Sequence, residues 1–442
     1  LRLHALKPTL LVALLVIAGC ADGARPPTPR AARLGSGSSS QLPPIRPDDP
    51  RPARGFLLPS PLFEIDGDVV RLDALADGVL GDEVELRWLA EGGAITPGDA
   101  GAAVLRPDRD DWSVSALLVR RGRTLSTATA RAPATARQGI AGLARFTASA
   151  LPISAEACAD PAFPARIAAG HVTCSPGQAP RIDQLLPWGA TAPIALPGLP
   201  GRPGGKGAAE LRPEQTVAEG GVLAWAGSTG GHWAAADDTS IGFLPAAKLL
   251  GPPALGGGQL AMLRPDRVEV AQLGANQRTL LPAEPLEGPG AVAVSAGWLA
   301  LLEGSPAAAT LRLQDLKRHR RARLGSAADR SDLHVDDRWL TWQEGDDACW
   351  VDLLSGELRR RPVRPVRGRL SARLDDLWLL AVRGQAGVDL LALHLPSGEE
   401  ATVRSGDGDL RLRGAAAGGV TVAMGPFAGT AELLSLLPER RV

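Results

Sequence analysis

The chain of 442 residues contains no tyrosine, a single asparagine at Asn276, and only four lysines. Its 48 lysine and arginine residues balance its 48 aspartate and glutamate residues, so the formal net charge is zero at pH 7. A balanced charge gives no basis for general nucleic-acid binding. Alanine, glycine, arginine and proline dominate instead, a bias typical of GC-rich coding, so we expect no nucleic-acid partner.

Motifs that carry chemistry are also missing. There is no G-x-S-x-G elbow of a propeller-linked hydrolase and no H-E-x-x-H metal motif. The segment "GLPGRPGGKG" has Pro200 where a phosphate loop has its first glycine, and no Ser or Thr follows Lys206. We interpret it as a surface loop. The sequence therefore predicts no resident cofactor, no metal site and no catalytic residues.

Long apolar runs are absent except at the start of the chain. Residues 9–18 are apolar after Thr9, which is far short of the roughly 20 residues that a membrane-spanning helix needs. A basic start, a short apolar centre and small residues at the end are typical of a secretory signal segment. The segment ends in "IAGC", with the cysteine at Cys20.

This ending resembles the lipobox of bacterial lipoproteins. The resemblance implies that residues 1–19 are removed as a signal peptide and that Cys20 is lipidated, which anchors the chain to a membrane. The alternative is an ordinary signal peptide with an incidental cysteine. Ala21 follows the cysteine where aspartate is the signal for inner-membrane retention. The resemblance therefore favours the outer membrane, on its periplasmic or surface face.

Three other cysteines remain. Cys158 and Cys174 lie 16 residues apart in a chain that the signal directs out of the cytoplasm, where disulfides persist. We predict a bridge between them, which would stabilise the fold by roughly 3 kcal/mol in the chain-entropy model. Cys349 is left over, and we predict that it is a small buried side chain rather than a nucleophile.

Residues 20–55 are rich in proline, serine, glycine and arginine, and they offer no apolar face to bury. This composition predicts a flexible to semi-rigid tether. From residue 56 to about 135 the pattern changes to strands. Val84, Leu86 and Trp88 alternate with polar residues, and Val70 and Leu72 do the same. We also predict a hairpin in residues 111–132 that turns at Gly122.

This succession of strands resembles a PKD-like or immunoglobulin-like β-sandwich, with Trp88 as the tryptophan of a central strand. The cysteine pair of antibody domains is absent from the segment. The resemblance implies a spacer or adhesion module in residues 56–135.

The rest of the chain, residues 138–442, repeats. Tight turns followed by strongly apolar strands recur at steps of 51, 37, 39, 41, 39 and 42 residues, with markers at Gly170, Gly221, Gly258, Gly297, Arg338, Leu377 and Gly419. A period near 40 with several strands per unit is typical of propeller blades. "WVDLLSGELRR" and "LALHLPSGEEAT" resemble the third and fourth strands of TolB-like propellers. The whole chain is therefore predicted to be all-β, with a sandwich followed by a seven-bladed propeller.

The last repeat offers only three strands, and an open blade would leave a bare edge. Residues 140–153 precede the first marker and have no repeat of their own. We predict that part of this segment supplies the outer strand of the last blade.

Paired acids recur before apolar strands, as at Asp336-Asp337 and Asp375-Asp376. We interpret them as turn residues, because a short carboxylate accepts hydrogen bonds from nearby backbone N–H groups. The five histidines outside the signal, His171, His232, His319, His334 and His394, lie in five different repeats. They are interpreted as isolated side chains, although a composite site at a central channel stays open.

Two basic runs, "KRHRRAR" and "RRRPVRPVRGR", follow apolar strands at the same offset within neighbouring repeats. Both are predicted to lie on outermost strands, where charge discourages association between strand edges. The functional alternative is a patch for an anionic partner, formed by Lys317, Arg318, Arg320, Arg321, Arg323, Arg359, Arg360 and Arg361.

Two functions remain open from the sequence. The first is a lipid-anchored protein of the cell envelope that presents its propeller as a non-catalytic binding platform, for an envelope protein or a polysaccharide. The alternative is a propeller enzyme, such as a glycan lyase or a quinoprotein-like dehydrogenase, with its site at the central channel. Oligomeric state and the identity of the ligand do not follow from the sequence.

Overall fold

A computed structural model of the chain contains 35 strands in the residues that it describes, and none of these residues is helical. Accordingly, none of the described segments is a helix that could cross a membrane. The prediction of an all-β chain is confirmed. The described residues are 55–76, 83–99, 101–133, 146–152, 166–168, 171–174, 181–185, 191–194, 216–219, 222–227, 230–235, 241–245, 249–250, 253–273, 278–282, 290–305, 307–366, 371–374, 376–385, 387–406, 410–416, 419–424 and 430–438.

Residues 55–133 form what we call the N-terminal module. Its strands are β1 (Leu62–Asp66), β2 (Val69–Asp73), β3 (Val84–Glu91), β4 (Gly93–Pro97), β5 (Ala102–Pro107), β6 (Ser113–Arg120) and β7 (Arg123–Arg131). Strands β1, β2, β5 and β4 are neighbours in one sheet, and β3, β6 and β7 form another. The predicted hairpin is β6–β7, and it turns at Gly122, whose φ is +78°.

The two sheets of the module share apolar clusters, because their strands alternate as the sequence predicted. Val70 and Leu72 of β2 pack with Val114 of β6, and Val84 packs with Leu118. The role predicted for Trp88 is wrong, because β3 is an edge strand and Trp88 is only half-buried. The tryptophan buried in this core is Trp112, which packs edge-on against Phe63 with ring centroids 5.4 Å apart.

Seven further sheets have four antiparallel strands each. Sheet 1 contains β9 (Arg166–Ala168), β10 (His171–Cys174), β11 (Arg181–Leu185) and β12 (Thr191–Ile194), and sheet 2 contains β13 (Thr216–Glu219), β14 (Val222–Gly227), β15 (Gly230–Ala235) and β16 (Ile241–Pro245). Sheet 3 contains β17 (Ala254–Gly256), β18 (Gln259–Leu263), β19 (Arg267–Gln272) and β20 (Arg278–Pro282), and sheet 4 contains β21 (Ala291–Val294), β22 (Trp298–Glu303), β23 (Ala309–Asp315) and β24 (Arg320–Ala327).

Sheet 5 contains β25 (Arg330–Val335), β26 (Trp339–Glu344), β27 (Asp347–Asp352) and β28 (Glu357–Pro362). Sheet 6 contains β29 (Ser371–Leu374), β30 (Leu377–Arg383), β31 (Val388–His394) and β32 (Glu399–Gly406). Sheet 7 contains β33 (Leu410–Ala416), β34 (Gly419–Met424) and β35 (Thr430–Pro438), and its fourth strand is β8 (Phe146–Pro152). The second strand of each sheet begins at a marker of the sequence repeat or at the residue that follows it, so each repeat corresponds to one sheet.

The pairing of β8 with β35 bears out the prediction for residues 140–153. The two strands are antiparallel, and Ser149 lies opposite Ser435. The strand that precedes all seven repeats in the chain thus completes the sheet of the last one.

Neighbouring sheets pack face to face through apolar side chains. We call each contact a seam and name it by its two sheets. Seam 3–4 holds Val270 and Leu301, seam 4–5 holds Leu313 and Trp342, and seam 6–7 holds Leu379 and Leu412. Seam 5–6 contains three buried tryptophans, which are Trp339, Trp350 and Trp378. Successive side chains of a strand point to opposite faces of its sheet. Each strand can therefore contribute apolar side chains to the seams on both sides of its sheet.

The N-terminal module continues sheet 5. Strand β1 pairs in parallel with β28, so that Phe63 lies beside Glu357, and the result is a sheet of eight strands. The preceding residues Leu57 and Leu58 are fully buried in the apolar cluster of seam 4–5. The sequence predicts that the module and the repeats are separate domains. In the structure they are joined by the pairing of β1 with β28 and by a shared apolar core.

Candidate functional site

The first basic run surrounds the turn between β23 and β24. Asp315 ends β23, and its Oδ1 accepts hydrogen bonds from the backbone N–H groups of Lys317 and Arg318, both at 2.9 Å. This local bonding shapes the turn and leaves the side chains of Lys317, Arg318 and His319 exposed. We call residues 317–323 the basic turn.

The later residues of the basic turn have different surroundings. Arg320 donates from Nη1 to the carbonyl oxygen of Phe56 at 2.8 Å, so it touches the first described residues of the N-terminal module. Arg321 is half-buried. Burial raises the pKa of Glu303, and the charge of Arg321 opposes this rise with a smaller effect. Arg323 is exposed. The first basic run therefore meets the N-terminal module through Arg320.

The second basic run is paired within the chain. Arg359 Nε lies 2.7 Å from Glu357 Oε1, and Arg361 Nε lies 3.2 Å from Glu400 Oε2. Arg360 contacts Glu64 at 2.9 Å and Glu344 at 2.7 Å. Arg360 and Arg361 thus pair with acids of other strands, whereas the acid of Arg359 lies on its own strand and its contact outside sheet 5 is from Nη1 to the carbonyl oxygen of Pro396 at 2.9 Å.

The interpretation of β28 as a bare, charged edge is wrong, because β1 covers that edge. The sequence placed both runs on the fourth strands of neighbouring sheets, which the structure bears out for β24 and β28. It could not tell that one edge would be paired. The only sequence feature that could have indicated this pairing is the short strand around Glu64, and nothing in its pattern identifies Arg360 as the partner.

A second polar group lies in seam 5–6, on the first strands of the two sheets. His334 Nε2 lies 2.6 Å from Ser371 Oγ, which also accepts a hydrogen bond from Trp378 Nε1 at 3.0 Å. Asp332 Oδ1 lies 3.6 Å from the same His334 nitrogen. The buried Thr341 lies opposite His334 on the next strand, and its hydroxyl has no hydrogen-bond partner among the described residues.

This group contains the residue types of a hydrolytic triad but not its geometry. In a triad the serine and the acid contact different ring nitrogens, whereas Ser371 and Asp332 both approach Nε2. Ser371 is buried and already bonded to Trp378. The arrangement orders the side chains at the seam, and it gives Ser371 no geometry for nucleophilic attack.

The acid pairs behave as turn residues where the structure describes them. Asp336 Oδ1 accepts from the backbone N–H groups of Arg338 at 2.7 Å and Trp339 at 2.6 Å. Its neighbour Asp337 reaches sheet 4, where it accepts a hydrogen bond from Ser295 Oγ at 3.2 Å. Asp376 accepts from Trp339 Nε1 at 2.8 Å. The turns thus also link neighbouring sheets, which sequence reasoning missed. Asp375 lies outside the described residues.

Buried ion pairs are another feature that the sequence did not reveal. In sheet 4, Arg312 Nη2 lies 2.8 Å from Glu303 Oε2, and the two side chains are only 1% and 5% exposed. At the matching position of sheet 3, Arg264, which directly follows the second strand, pairs with Glu269 on the third strand, with the charges exchanged. Burial raises the pKa of Glu303 and lowers the pKa of Arg312.

The strand register identifies the matching position in sheet 6. Trp298 lies opposite Asp315 in sheet 4, and Leu377 lies opposite His394 in sheet 6. Counting along the strands from these pairs makes Val382 and Leu391 the equivalents of Glu303 and Arg312. That position is therefore charged in sheets 3 and 4 and apolar in sheet 6.

Of the cysteines, only Cys349 is described with its side chain. It is free and fully buried, as predicted, and burial raises its pKa to about 12. Cys20 and Cys158 lie outside the described residues, and Cys174 ends β10 with nothing described of its side chain. The lipidation and the disulfide therefore stay predictions.

The described histidines stay apart from one another. His319 lies in the basic turn, His334 in seam 5–6, and His394 ends β31, where its Nδ1 lies 2.7 Å from Ser397 Oγ. Within the residues that have described side chains, no three His, Cys, Asp or Glu residues come together as metal ligands.

No protein-family profile matches the chain, and no curated protein is similar to it. Solved structures share its general form at low identity. The nidogen/laminin complex is 14% identical over 53% of this chain and 93% of that chain, with a TM-score of 0.35. Apo AztD from Citrobacter koseri is 11% identical over 77% of this chain and 92% of that one, with a TM-score of 0.36.

A third solved structure, from work on two prolyl endopeptidases, is 17% identical over 61% of this chain and 46% of that chain, with a TM-score of 0.41. The three neighbours are propeller-like proteins. At these scores the similarity carries no argument about activity, and the fold of this chain rests on its own strand pairings.

Proposed function

We propose that this protein is a lipid-anchored component of the bacterial cell envelope that presents a seven-bladed β-propeller as a non-catalytic binding platform. In this proposal Cys20 carries the lipid, residues 20–55 form the tether, and the N-terminal module is an immunoglobulin-like or PKD-like sandwich. The partner is an envelope protein or a polysaccharide, and the location is the outer membrane rather than the inner one.

The observation that carries the proposal is the attachment of the N-terminal module to sheet 5. Pairing between β1 and β28 and the burial of Leu57 and Leu58 make the module and the sheets continuous. Phe63 N–H also donates to the carbonyl oxygen of Gly356 at 2.8 Å. A tether that ends at residue 55 is therefore fastened to a well-packed body, as a presented platform requires.

The topology of the seven sheets supports the propeller. Each sheet follows the last in the chain, neighbours pack face to face, and β8 closes the seventh sheet. Contacts between the first strands of neighbouring sheets include β33 with β9 and β9 with β13, so sheet 7 meets sheet 1 and sheet 1 meets sheet 2. This order favours a closed ring of seven blades.

The second candidate is a propeller enzyme with its site near the central channel. The group of His334, Asp332 and Ser371 on first strands is the observation that favours it. The shared approach to one ring nitrogen weighs against it, and we place the non-catalytic platform first.

The decisive experiment follows the anchor and then the partner. The Cys20→Ser chain should remain unprocessed and take up no radioactive palmitate, whereas the native chain is labelled. Pull-down from cross-linked envelopes should then recover the same partner with the tagged native chain and with the tagged His334→Ala chain. Equal labelling of the Cys20→Ser chain would contradict the anchor. Turnover of an envelope glycan that disappears in His334→Ala would favour the enzyme.

The predicted disulfide has a separate test. Peptide mapping of the unreduced protein should find one linked pair, Cys158 with Cys174, and a reduced Cys349. A linkage that includes Cys349, or free thiols at both other positions, would contradict the prediction.

A further inference from the structure

We propose that polar side chains in seam 5–6 form a binding site for a small neutral ligand with hydroxyl groups on neighbouring carbons, which is a sugar or a polyol. We call Asp332, His334, Thr341, Gln343 and Ser371 the seam 5–6 group. This site goes beyond the proposed function, because it adds a small ligand to a body whose proposed partner is a macromolecule. It requires neither the lipid nor the tether.

The other sheets show that the fold does not require polar side chains at these positions. His334 lies opposite Thr341, which is the third residue of β26. The equivalent pairs in sheets 3, 4 and 6 are Ala254–Ala261, Ala293–Ala300 and Ala372–Leu379, and the equivalents of Gln343 are Leu263, Leu302 and Ala381. All of these residues lie in the apolar clusters of the seams. Where one repeat departs from what its fold needs, a functional site is the expected reason.

Strand β25 also has one residue more than its pairing requires. Its register with β26 shifts between Ser331 and His334, which forms a bulge. The bulge contains Asp332, whose φ of +56° is rare for a residue other than glycine. Gln343 Nε2 donates to Asp332 Oδ2 at 2.7 Å and so fixes the carboxylate. Bulges of this kind re-aim side chains next to active sites.

The first strands of sheets 5 and 6 approach each other less closely than those of other neighbouring sheets. Backbone contacts join β21 with β25 and β29 with β33. Within the described residues, β25 and β29 make no comparable contact. Side chains bridge the two strands instead, as His334 does with Ser371. The His334 side chain is 31% exposed and that of Asp332 is 18% exposed, so a small molecule can reach both.

Hydrogen bonds assign the proton on the imidazole of His334. Trp378 Nε1 can only donate, and it donates to Ser371 Oγ at 3.0 Å. Among the described residues, His334 Nε2, at 2.6 Å, is the acceptor left for the hydroxyl hydrogen of Ser371. The ring N–H of His334 is therefore at Nδ1, which has no partner among the described residues. The group thus presents a donor at His334 Nδ1 and an acceptor at Asp332 Oδ1.

The hydroxyl of Thr341 is a third polar group that a ligand can use. Thr341 is fully buried, and its Oγ1 has no hydrogen-bond partner among the residues that the structure describes. It points to the same face as His334, because directly opposite residues of an antiparallel pair share a face. A buried hydroxyl without a partner is unfavourable. A ligand hydroxyl, or a water molecule that the ligand holds, would satisfy it.

These three groups together favour a ligand with several hydroxyl groups. One ligand hydroxyl donates to Asp332, and its neighbour accepts from the N–H of His334. Hydrogen bonds to a carboxylate are stronger than those between neutral groups. An anion would be repelled by Asp332, and a cation would meet the N–H of His334, so the ligand is neutral. A single amide would supply one donor and one acceptor but leave Thr341 without a partner.

The test is saturation-transfer NMR on the full chain in detergent. The probes are glucose, galactose, mannose, rhamnose, N-acetylglucosamine, myo-inositol and glycerol, with acetamide as the amide probe. We expect transfer to at least one sugar or polyol. Asp332→Asn and His334→Ala should each weaken that binding by about tenfold or more. The matched control is His394→Ala, because His394 also contacts a serine hydroxyl, that of Ser397 at 2.7 Å, and it should bind as the native chain does.

Transfer to none of the sugars and polyols would overturn the proposal, as would equal binding in the His334→Ala and His394→Ala chains. Transfer to acetamide alone would assign the site to an amide and would also overturn it. A chain that takes up palmitate and recovers its macromolecular partner, but binds none of these probes, contradicts this site and leaves the proposed function intact.

A second variant separates binding from folding. Thr341→Val keeps the shape of the side chain and removes a hydroxyl that has no partner in the described part of the chain. We expect a melting temperature at least as high as that of the native chain, together with weaker binding of the sugar or polyol. A lower melting temperature with native affinity would make the group structural and would overturn the proposal.

Discussion

Arg360 and Glu64 join the N-terminal module to sheet 5, with Arg360 Nε 2.9 Å from Glu64 Oε1. The same guanidinium lies 2.7 Å from Glu344, which in turn lies 2.7 Å from Arg330 Nε. The four residues form an alternating chain of charges across the joint between β1 and β28. Arg330 also donates to backbone carbonyl groups of sheet 4, including Leu324 O at 2.9 Å, so the network ties three elements together.

Removing the central carboxylate should destabilise the fold. Glu344→Ala leaves Arg330, whose side chain is 5% exposed, without its acid. Breaking a buried pair in this way costs about 3–5 kcal/mol. The measurement is the free energy of unfolding in urea. The control is Glu85→Ala, which removes the exposed Glu85–Arg87 pair and should cost about 1 kcal/mol or less. Equal losses in the two variants would contradict the assigned role.

The same residue makes stability depend on acid pH. Burial acts to raise the pKa of Glu344, but hydrogen bonds from Arg330, Arg360 and Trp342 outweigh it and hold the pKa below 4.5. The carboxylate therefore stabilises the folded state above pH 4.5, and this contribution is lost as the pH falls through the lowered pKa. Glu344→Gln should flatten the pH dependence of the unfolding free energy below pH 4.5. A native-like acid transition in that variant would argue against this source.

The turn at Gly356 should tolerate no side chain. Its φ is +77°, and a Cβ there would lie 2.3 Å from the carbonyl oxygen of Pro61 in the segment leading into β1. Gly356→Ala should lower the melting temperature and expose residues 56–61 to protease. Gly345→Ala is the matched control, because its φ of +61° is similar but its Cβ would meet nothing within 4 Å. The control should show only the left-handed strain of about 1–2 kcal/mol. Equal protease sensitivity would contradict the docking of β1 at this turn.

The buried Glu303–Arg312 pair should be replaceable by the apolar pair found in sheet 6. Glu303→Val alone leaves a buried guanidinium without its acid and should cost about 3–5 kcal/mol. Glu303→Val combined with Arg312→Leu copies Val382 and Leu391 and should recover most or all of that loss, because two buried charges no longer need desolvation. Urea unfolding of both single variants and the double variant gives the coupling free energy between Glu303 and Arg312. Additive losses would show that the two residues do not act as a pair.

The pairing of β8 with β35 should stabilise all seven sheets. Deleting residues 138–150 removes most of β8 and leaves the edge of β35 unpaired. We expect a lower melting temperature and aggregation, since bare strand edges associate. Deleting residues 21–50 should leave melting unchanged because that segment offers no apolar face. A deletion of 138–150 with native melting would contradict the closure.

The sequence by itself determined the strands and their grouping. Alternation of side chains is a local property, so Val70, Leu72 and the Trp339 strand could be assigned without knowing their neighbours. The repeat near 40 residues marked the second strand of each sheet, and the lack of a fourth strand in the last repeat predicted the pairing of β8. Turn roles for Asp336 followed from the reach of a short carboxylate. The burial of Cys349 followed from its apolar strand.

Only the tertiary structure decided which strand edges meet and which charges are paired. Parallel pairing of β1 with β28 joins residues nearly 300 positions apart, as in the contact between Ser60 and Ser355. No local pattern encodes such a partner, because an edge strand can pair with any edge it reaches. Glu64 and Arg360 became a pair only through that choice, and the two basic runs, alike in sequence, were divided by it. One became part of the joint between β1 and β28, and in the other Lys317 and Arg318 remain exposed while Arg320 contacts Phe56.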